Sequence, residues 1–250
     1  VSSAAADLLR ALDPVEFAGA CGIAPDPWQE AVLRSAARQT LLCCGRQTGK
    51  STVCALVALH ELVYRPGALV LLAAPTLRQS GELFRKLIAF WRAAGRPVEP
   101  ERRTTFAMEL RGGSRVLALP GEEDTVRGFA SVDLVVVDEA ARVDEDLMAA
   151  VRPMLAVSGG RLLAASTPAG RRGWFYEAWE HGGPGWERHR VPSSACPRID
   201  PEFLRLERRA LGAALYAQEY EARFVDETGM AFSGALVERA FDDNEEVWAI

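Results

Sequence analysis

The chain has 250 residues, with 49% hydrophobic, 25% charged and 8% aromatic content and a formal net charge of −5. At roughly 100–200 residues per domain this is one large domain, or one domain with a small appendage, long enough to bury a core without disulfides or metals. The composition excludes disorder, collagen and coiled coil, and no apolar run approaches the ~20 residues of a bilayer-spanning helix. No secretory signal opens the chain, and because it begins at Val1 the native start is expected to lie upstream or to have been processed.

Net acidity argues against a general basic coat for nucleic acid, but not against a local basic strip. Lys50 and Lys86 are the only lysines, and arginine carries the rest of the positive charge. Such scarcity reads as a codon-composition bias, and it makes each lysine worth following. The cysteines Cys21, Cys43, Cys44, Cys54 and Cys196 are odd in number and form no CxxC pair. Cys43 and Cys44 sit inside an apolar run, so reduced, buried thiols are expected and not disulfides or zinc.

In chain order, residues 1–24 predict a short N-terminal helical extension ending near Pro25 and Pro27. Residues 40–44 form an apolar run that predicts a buried strand, followed by a helix over about 49–63. A second buried strand is predicted at 68–74, ended by Pro75, then a helix over 79–94 with Leu83, Leu87 and Phe90 on one face. Residues 105–110 and 115–119 flank Gly112-Gly113 and predict a hairpin. Further buried strands are predicted at 132–137 and 161–166. Buried strands alternating with helices predict an α/β fold on a mainly parallel sheet. Strand signals stop after about Arg190; residues 201–224 read as helical, and the acidic 242–246 as a linker or tail.

The strongest local signal is Cys44-Gly45-Arg46-Gln47-Thr48-Gly49-Lys50-Ser51, followed by Thr52, between a strand and a helix. Glycine lets backbone N–H groups turn toward phosphates, and a helix N-terminus adds positive potential. Lys50 is expected to neutralise the β- and γ-phosphates of ATP, and Ser51 to ligate Mg²⁺. The usual pattern places a glycine five positions before Gly49; here that position is Cys44 and the glycine falls one later, at Gly45.

The next motif, Leu134-Val135-Val136-Val137-Asp138-Glu139, ends an apolar strand in two carboxylates, at the sheet edge where ligands bind in open α/β folds. Asp138 is expected to hold Mg²⁺ through its water shell, and Glu139 to polarise the attacking water. Upstream, Pro27-Trp28-Gln29 offers an amide able to read the adenine edge, with Trp28 more suited to the core. Ser166 and Thr167 end the last predicted strand, where small hydroxyls suit coupling of hydrolysis to motion; a capping turn is the simpler reading. Arg127, before Gly128, suits stabilisation of γ-phosphate charge in cis or from a neighbouring subunit. Arg46 has the better claim by location, to sense the γ-phosphate or to hold Glu139.

Taken as an ordered set, these residues resemble the ATPase domain of the large terminase subunit, the motor that packages DNA into tailed-phage and herpesvirus capsids. Pro27-Trp28-Gln29 matches the adenine motif, and Gly45 to Ser51 the family's deviant phosphate loop with its arginine. Ala74-Pro75-Thr76, Val126-Arg127-Gly128, Asp138-Glu139-Ala140-Ala141 and Ser166-Thr167-Pro168-Ala169-Gly170 follow in order, as do Trp174-Phe175-Tyr176 and Gln218-Glu219-Tyr220 through Phe224. The match spans roughly residues 25–235. It implies a P-loop NTPase of the ASCE, RecA-like kind: an N-terminal extension at 1–24, an ATPase core at 25–190, and a helical lid or linker at 191–250.

The resemblance further implies ATP and Mg²⁺ as cofactors and a homo-oligomeric ring, expected to be a pentamer, on the capsid portal protein. It implies work with the small terminase subunit on double-stranded DNA in the host cytoplasm, with Arg127 acting in trans. The family's second, nuclease domain is expected to begin where this chain stops, so endonuclease activity is not expected here. Arg102 with Arg103, and Arg171 with Arg172, are the candidate DNA contacts, each pair also readable as a solvated loop.

A DExx-type helicase or DNA-translocase fragment is the runner-up, sharing the glutamine, phosphate loop and Asp-Glu. It needs a second domain of comparable size, and Ser-Thr-Pro is not its usual Ser-Ala-Thr. A module that merely binds ATP has no use for Glu139, and a small-molecule kinase lacks a second-substrate site.

Overall fold

The structure, a computed structural model, describes residues 3–122, 126, 128–129 and 131–226. Arg127 and residues 227–250, with the acidic tail, lie outside the described residues. Among the described residues, eight strands form one sheet: β1 (Gln39–Cys44), β2 (Leu69–Ala74), β3 (Pro100–Arg103), β4 (Ala107–Leu110), β5 (Arg115–Pro120), β6 (Leu134–Asp138), β7 (Arg161–Ser166) and β8 (Glu187–Val191). Their order is β3-β4-β5-β2-β6-β7-β1-β8. From β5 to β8 all pairs are parallel; β3 and β4 extend the sheet in antiparallel fashion. The mainly parallel α/β expectation is therefore correct, and β4–β5 is the expected hairpin around Gly112-Gly113.

Two strands differ from the sequence reading. β8 lies in the stretch taken to be nearly past the last strand, and β3 carries Arg102 and Arg103, which is a strand and not a loop. Both are sheet edges. Edge strands carry charge and proline, so the apolar signature of a buried strand is missing. Glu-Arg-His-Arg-Val in β8 is held by register against β1 and by Glu187 Oε2, which accepts a 2.7 Å bond from Ser35 Oγ.

The helices are α1 (Ser3–Leu12), α2 (Pro14–Ala20), α3 (Pro27–Leu33), α4 (Lys50–Tyr64), α5 (Leu77–Ala93), α6 (Glu145–Ser158), α7 (Gly173–Glu180), α8 (Pro201–Leu211) and α9 (Ala213–Glu219). Period-two alternation sends β1 side chains to both faces. Leu42 and Cys44 join a core with Phe17, Val32, α4 and α5, whereas Leu41 and Cys43 join a core with α6 and α7. α4 is buried along most of its length, from Val53 through Leu59 and at Leu62. That burial anchors the loop preceding it. The helical stretch predicted for 201–224 breaks at Gly212 and stops at Glu219. All five cysteines are free and buried, as expected. Burial pushes the Cys44 thiol up to about 12, so it stays protonated.

Among the described residues, no helix is long and apolar enough to cross a membrane.

Candidate active site

The carboxyl ends of β1, β7 and β6 lie side by side, with Cys43 level with Ser166 and Asp138 level with Ala165. β7 thus separates the strand that feeds the phosphate loop from the strand that ends in two acids. The loop turns at Gln47 and Gly49, both at positive φ (58° and 94°), and Gly49 caps α4. Thr48 is buried and donates to the Gly45 carbonyl at 3.0 Å, closing the loop on itself.

Lys50 and Ser51 open α4 directly beneath that turn. Lys50 Nζ lies 2.9 Å from Glu139 Oε1, and Ser51 Oγ donates to Asp138 Oδ2 at 2.8 Å. The four residues expected to serve phosphate, metal and water are therefore brought together across β7. Burial pulls the Lys50 ammonium down, but Glu139 and Asp138 more than offset it and raise its pKa above the ordinary value. Burial raises the Asp138 carboxyl, and the attraction of Lys50 and the Ser51 bond offset only part of the rise. Glu139 sits at φ 53° at the start of a single 3₁₀ turn, Ala140–Arg142. The second lysine also serves this region: Lys86 of α5 donates to Thr52 Oγ1 at 3.4 Å.

The geometry gives partners to two further candidates. Arg46 does not hold Glu139; its Nε donates to Glu219 at the end of α9, whose carboxylate is buried. Arg46 is itself exposed, and its charge is paired with a buried carboxylate at the end of α9. Gln29 is buried, its Oε1 accepting the Asp26 N–H at 2.9 Å and its Nε2 donating to the Gly49 carbonyl at 3.4 Å. Its amide thus braces the phosphate loop, leaving one further donor and one acceptor position.

Ser166 and Thr167 are buried between the two motifs, with Ser166 Oγ donating to the Thr167 carbonyl at 2.7 Å. Arg102 and Arg103 are exposed on β3; consecutive strand residues point to opposite faces, so the pair does not present one surface. Arg171 is exposed, 3.9 Å from Asp226, and Arg172 is also exposed. β3 stands five strands from β7, on the order of 24 Å at ordinary spacing, so the two arginine pairs are not brought together.

Asp26, Arg142 and Arg198 were not singled out from sequence, and Glu219 was quoted only within the family resemblance. Arg198 grips Asp26 with two bonds, 2.7 and 2.8 Å, and reaches the Thr48 carbonyl at 3.4 Å. Glu219 receives Arg46, and Arg142 Nη1 donates to Glu139 Oε2 at 2.9 Å. Spacing offers a signal for Arg142 alone, three residues after Glu139 on a tight turn.

Fold and site together define a P-loop NTPase. Residues 41–178 match the family model described as RNA cytidine acetyltransferase NAT10/TcmA, helicase domain. The chain is 31% identical to the large terminase subunit of Thermus phage G20c, over 85% of this chain and 51% of that protein. The solved large terminase ATPase domain of Thermus phage P74-26 superposes with TM-score 0.73 and 28% identity, over 84% of this chain and 98% of that one. The large terminase of another thermophilic bacteriophage, solved in complex with ADP, shares the fold at TM-score 0.66 and 13% identity, over 80% of this chain and 54% of that one.

The chain belongs to the helicase-domain family whose model it matches over more than half its length, and its relatives by sequence and structure are phage large terminase subunits and their ATPase domains. It spans about half the length of the curated relatives it matches. The helicase alternative is not favoured, since the solved domain that matches almost end to end is a terminase ATPase.

Proposed function

We propose that this chain hydrolyses ATP to drive double-stranded DNA into a viral procapsid in the host cytoplasm. It would work as one unit of a ring, expected to be pentameric, with a portal protein and a small terminase subunit. The observation that carries the reading is the convergence of Lys50 on Glu139 and Ser51 on Asp138 at the ends of β1 and β6.

Lys50 pairs with Glu139; a triphosphate competes for the same ammonium and releases Glu139 from it. Glu139 then orients a water and accepts its proton. Gly45, Gln47, Thr48, Gly49 and Thr52 complete the loop that wraps the phosphates, and Gln29 uses its remaining amide positions toward adenine. Ser51 and Asp138 are hard oxygen donors in contact with each other, a set that fits Mg²⁺ completed by phosphate oxygens and water. When bound, the ion supplies charge that stabilises the transferring phosphoryl group.

Ser166 and Thr167, between the two motifs, carry the nucleotide state toward residues beyond β7. Arg46 moves between Glu219 and the γ-phosphate, and Arg127 serves the neighbouring subunit's nucleotide. Arg171 with Arg172, and Arg102 or Arg103 on a separate surface, are the candidate DNA contacts, through phosphate charge. Residues 1–24 form an extension, 25–190 the motor core and 191–250 a lid or linker. No endonuclease activity is assigned to these residues.

Lys50→Ala tests the site. It removes the main phosphate charge, and ATP affinity is expected to fall by two orders of magnitude or more in equilibrium titration. Unchanged affinity contradicts the phosphate-loop assignment.

A further inference from the structure

We infer that Arg142 is the residue that positions Glu139 while nucleotide occupies the site, and that it ties this position to α9. The inference rests on the reading of Glu139 as the water-orienting base. Two cations grip the Glu139 carboxylate: Lys50 at Oε1 and Arg142 at Oε2, both at 2.9 Å. Lys50 is the residue that must turn to phosphate. Once it does, Arg142 is the remaining cation on that carboxylate among the described contacts.

Local geometry makes the contact durable. Glu139 and Arg142 are joined by the Arg142 N–H to Glu139 carbonyl bond at 2.9 Å, one turn of 3₁₀ helix. Glu139 caps that turn in the left-handed region, and its carboxylate meets the Arg142 guanidinium directly. Loss of Lys50 therefore does not by itself move Arg142 away.

The other branch of the guanidinium faces elsewhere. Arg142 Nη2 is 4.0 Å from Glu219 Oε1, while Arg46 takes Glu219 Oε2. Gln218, beside Glu219, donates to Glu219 Oε1 at 3.3 Å and accepts the Gly170 N–H at 3.3 Å. One planar fork thus faces the hydrolytic carboxylate and a buried carboxylate on α9, and that helix end also touches the phosphate loop and the segment after β7. A lysine offers a single point charge and cannot span both. Displacement of α9 therefore changes the hold on Glu139, and the converse follows.

The test compares steady-state and single-turnover ATP hydrolysis by the 250-residue chain carrying Arg142→Ala, Arg142→Lys, Glu139→Gln, and Glu139→Gln with Arg142→Ala. Arg142 is partly exposed, and thermal melts show which variants are folded. We expect Arg142→Ala to lower kcat about tenfold or more with KM changed less than about twofold, the scale of a mispositioned base. Arg142→Lys should recover part of the loss. In the Glu139→Gln background, Arg142→Ala should cost nothing further, because two residues acting as one unit are not additive. Unchanged kcat in Arg142→Ala, or an equal fold-loss in both backgrounds, overturns the inference. Normal turnover by Glu139→Gln alone would instead overturn the reading on which it rests.

Discussion

At the residue scale, the site is a set of charges that face one another, Lys50 and Arg142 on Glu139 and Ser51 on Asp138. Asp138 shows what this costs. Its carboxylate is buried, and burial raises its pKa above 3.8, more than Lys50 and Ser51 offset. The unfolded chain ionises this group at its ordinary value and the folded chain only at higher pH. Asp138 therefore favours the folded state below 3.8 and loses that contribution as pH rises through the folded value. Asp138→Asn removes the charge and keeps the shape. It is expected to melt a few degrees above the parent at pH 7, with the gap closing as pH falls toward 4, while losing turnover. A parent at least as stable as the variant across that range would contradict the argument. A functional carboxylate held at a loss of stability is a recurring feature of active sites.

At the scale of elements, the phosphate loop is not free-standing. Gly45 N–H donates to the Val191 carbonyl at 2.8 Å, Arg46 N–H to the Glu219 carbonyl at 2.7 Å, and Ser193 Oγ to the Arg46 carbonyl at 2.8 Å. β8 and the end of α9 are thus stitched to the loop's first turn. This explains the displaced glycine. A Cβ at Gly45 would lie 2.7 Å from the Tyr220 carbonyl oxygen and 2.9 Å from the Ser193 nitrogen, whereas Cys44 remains part of the buried strand. Gly45→Ala should therefore destabilise the chain by about 2 kcal/mol, a fall in Tm of roughly 4–8 °C for a domain of this size. An unchanged Tm would show that the C-terminal segment yields freely.

The same contacts mark how far the sequence could be read. β1, β2, β6 and β7 were legible because strands buried on both faces are continuous apolar runs. β8 and β3 were not, because their edges carry arginine, glutamate and proline. Lys50, Ser51, Asp138 and Glu139 were legible because their chemistry is tied to fixed places beside a strand end. Arg198, Glu219 and Arg142 were not, because their meaning lies in partners such as Asp26 and Arg46, and the first two partnerships span more than 170 residues. Gln29 was found for its amide, but its contact with the Gly49 carbonyl appears only once α3 is placed beside the phosphate loop.

At the scale of the molecule, one face of the sheet holds α2 to α5 and the other α6 and α7, and the site opens where the carboxyl ends of β1, β7 and β6 meet. α9 closes over it through Glu219. Glu139 is thereby placed one arginine away from an element outside the sheet. The central claim is that this centre turns over ATP through Glu139 and does not merely hold it. The most direct measurement sets nucleotide affinity beside turnover in the parent and in Glu139→Gln. ATP affinity is expected within a few-fold of the parent and hydrolysis reduced by at least about 100-fold, since an amide cannot accept the water's proton. Hydrolysis at the parent's rate, with affinity equally intact, would contradict it.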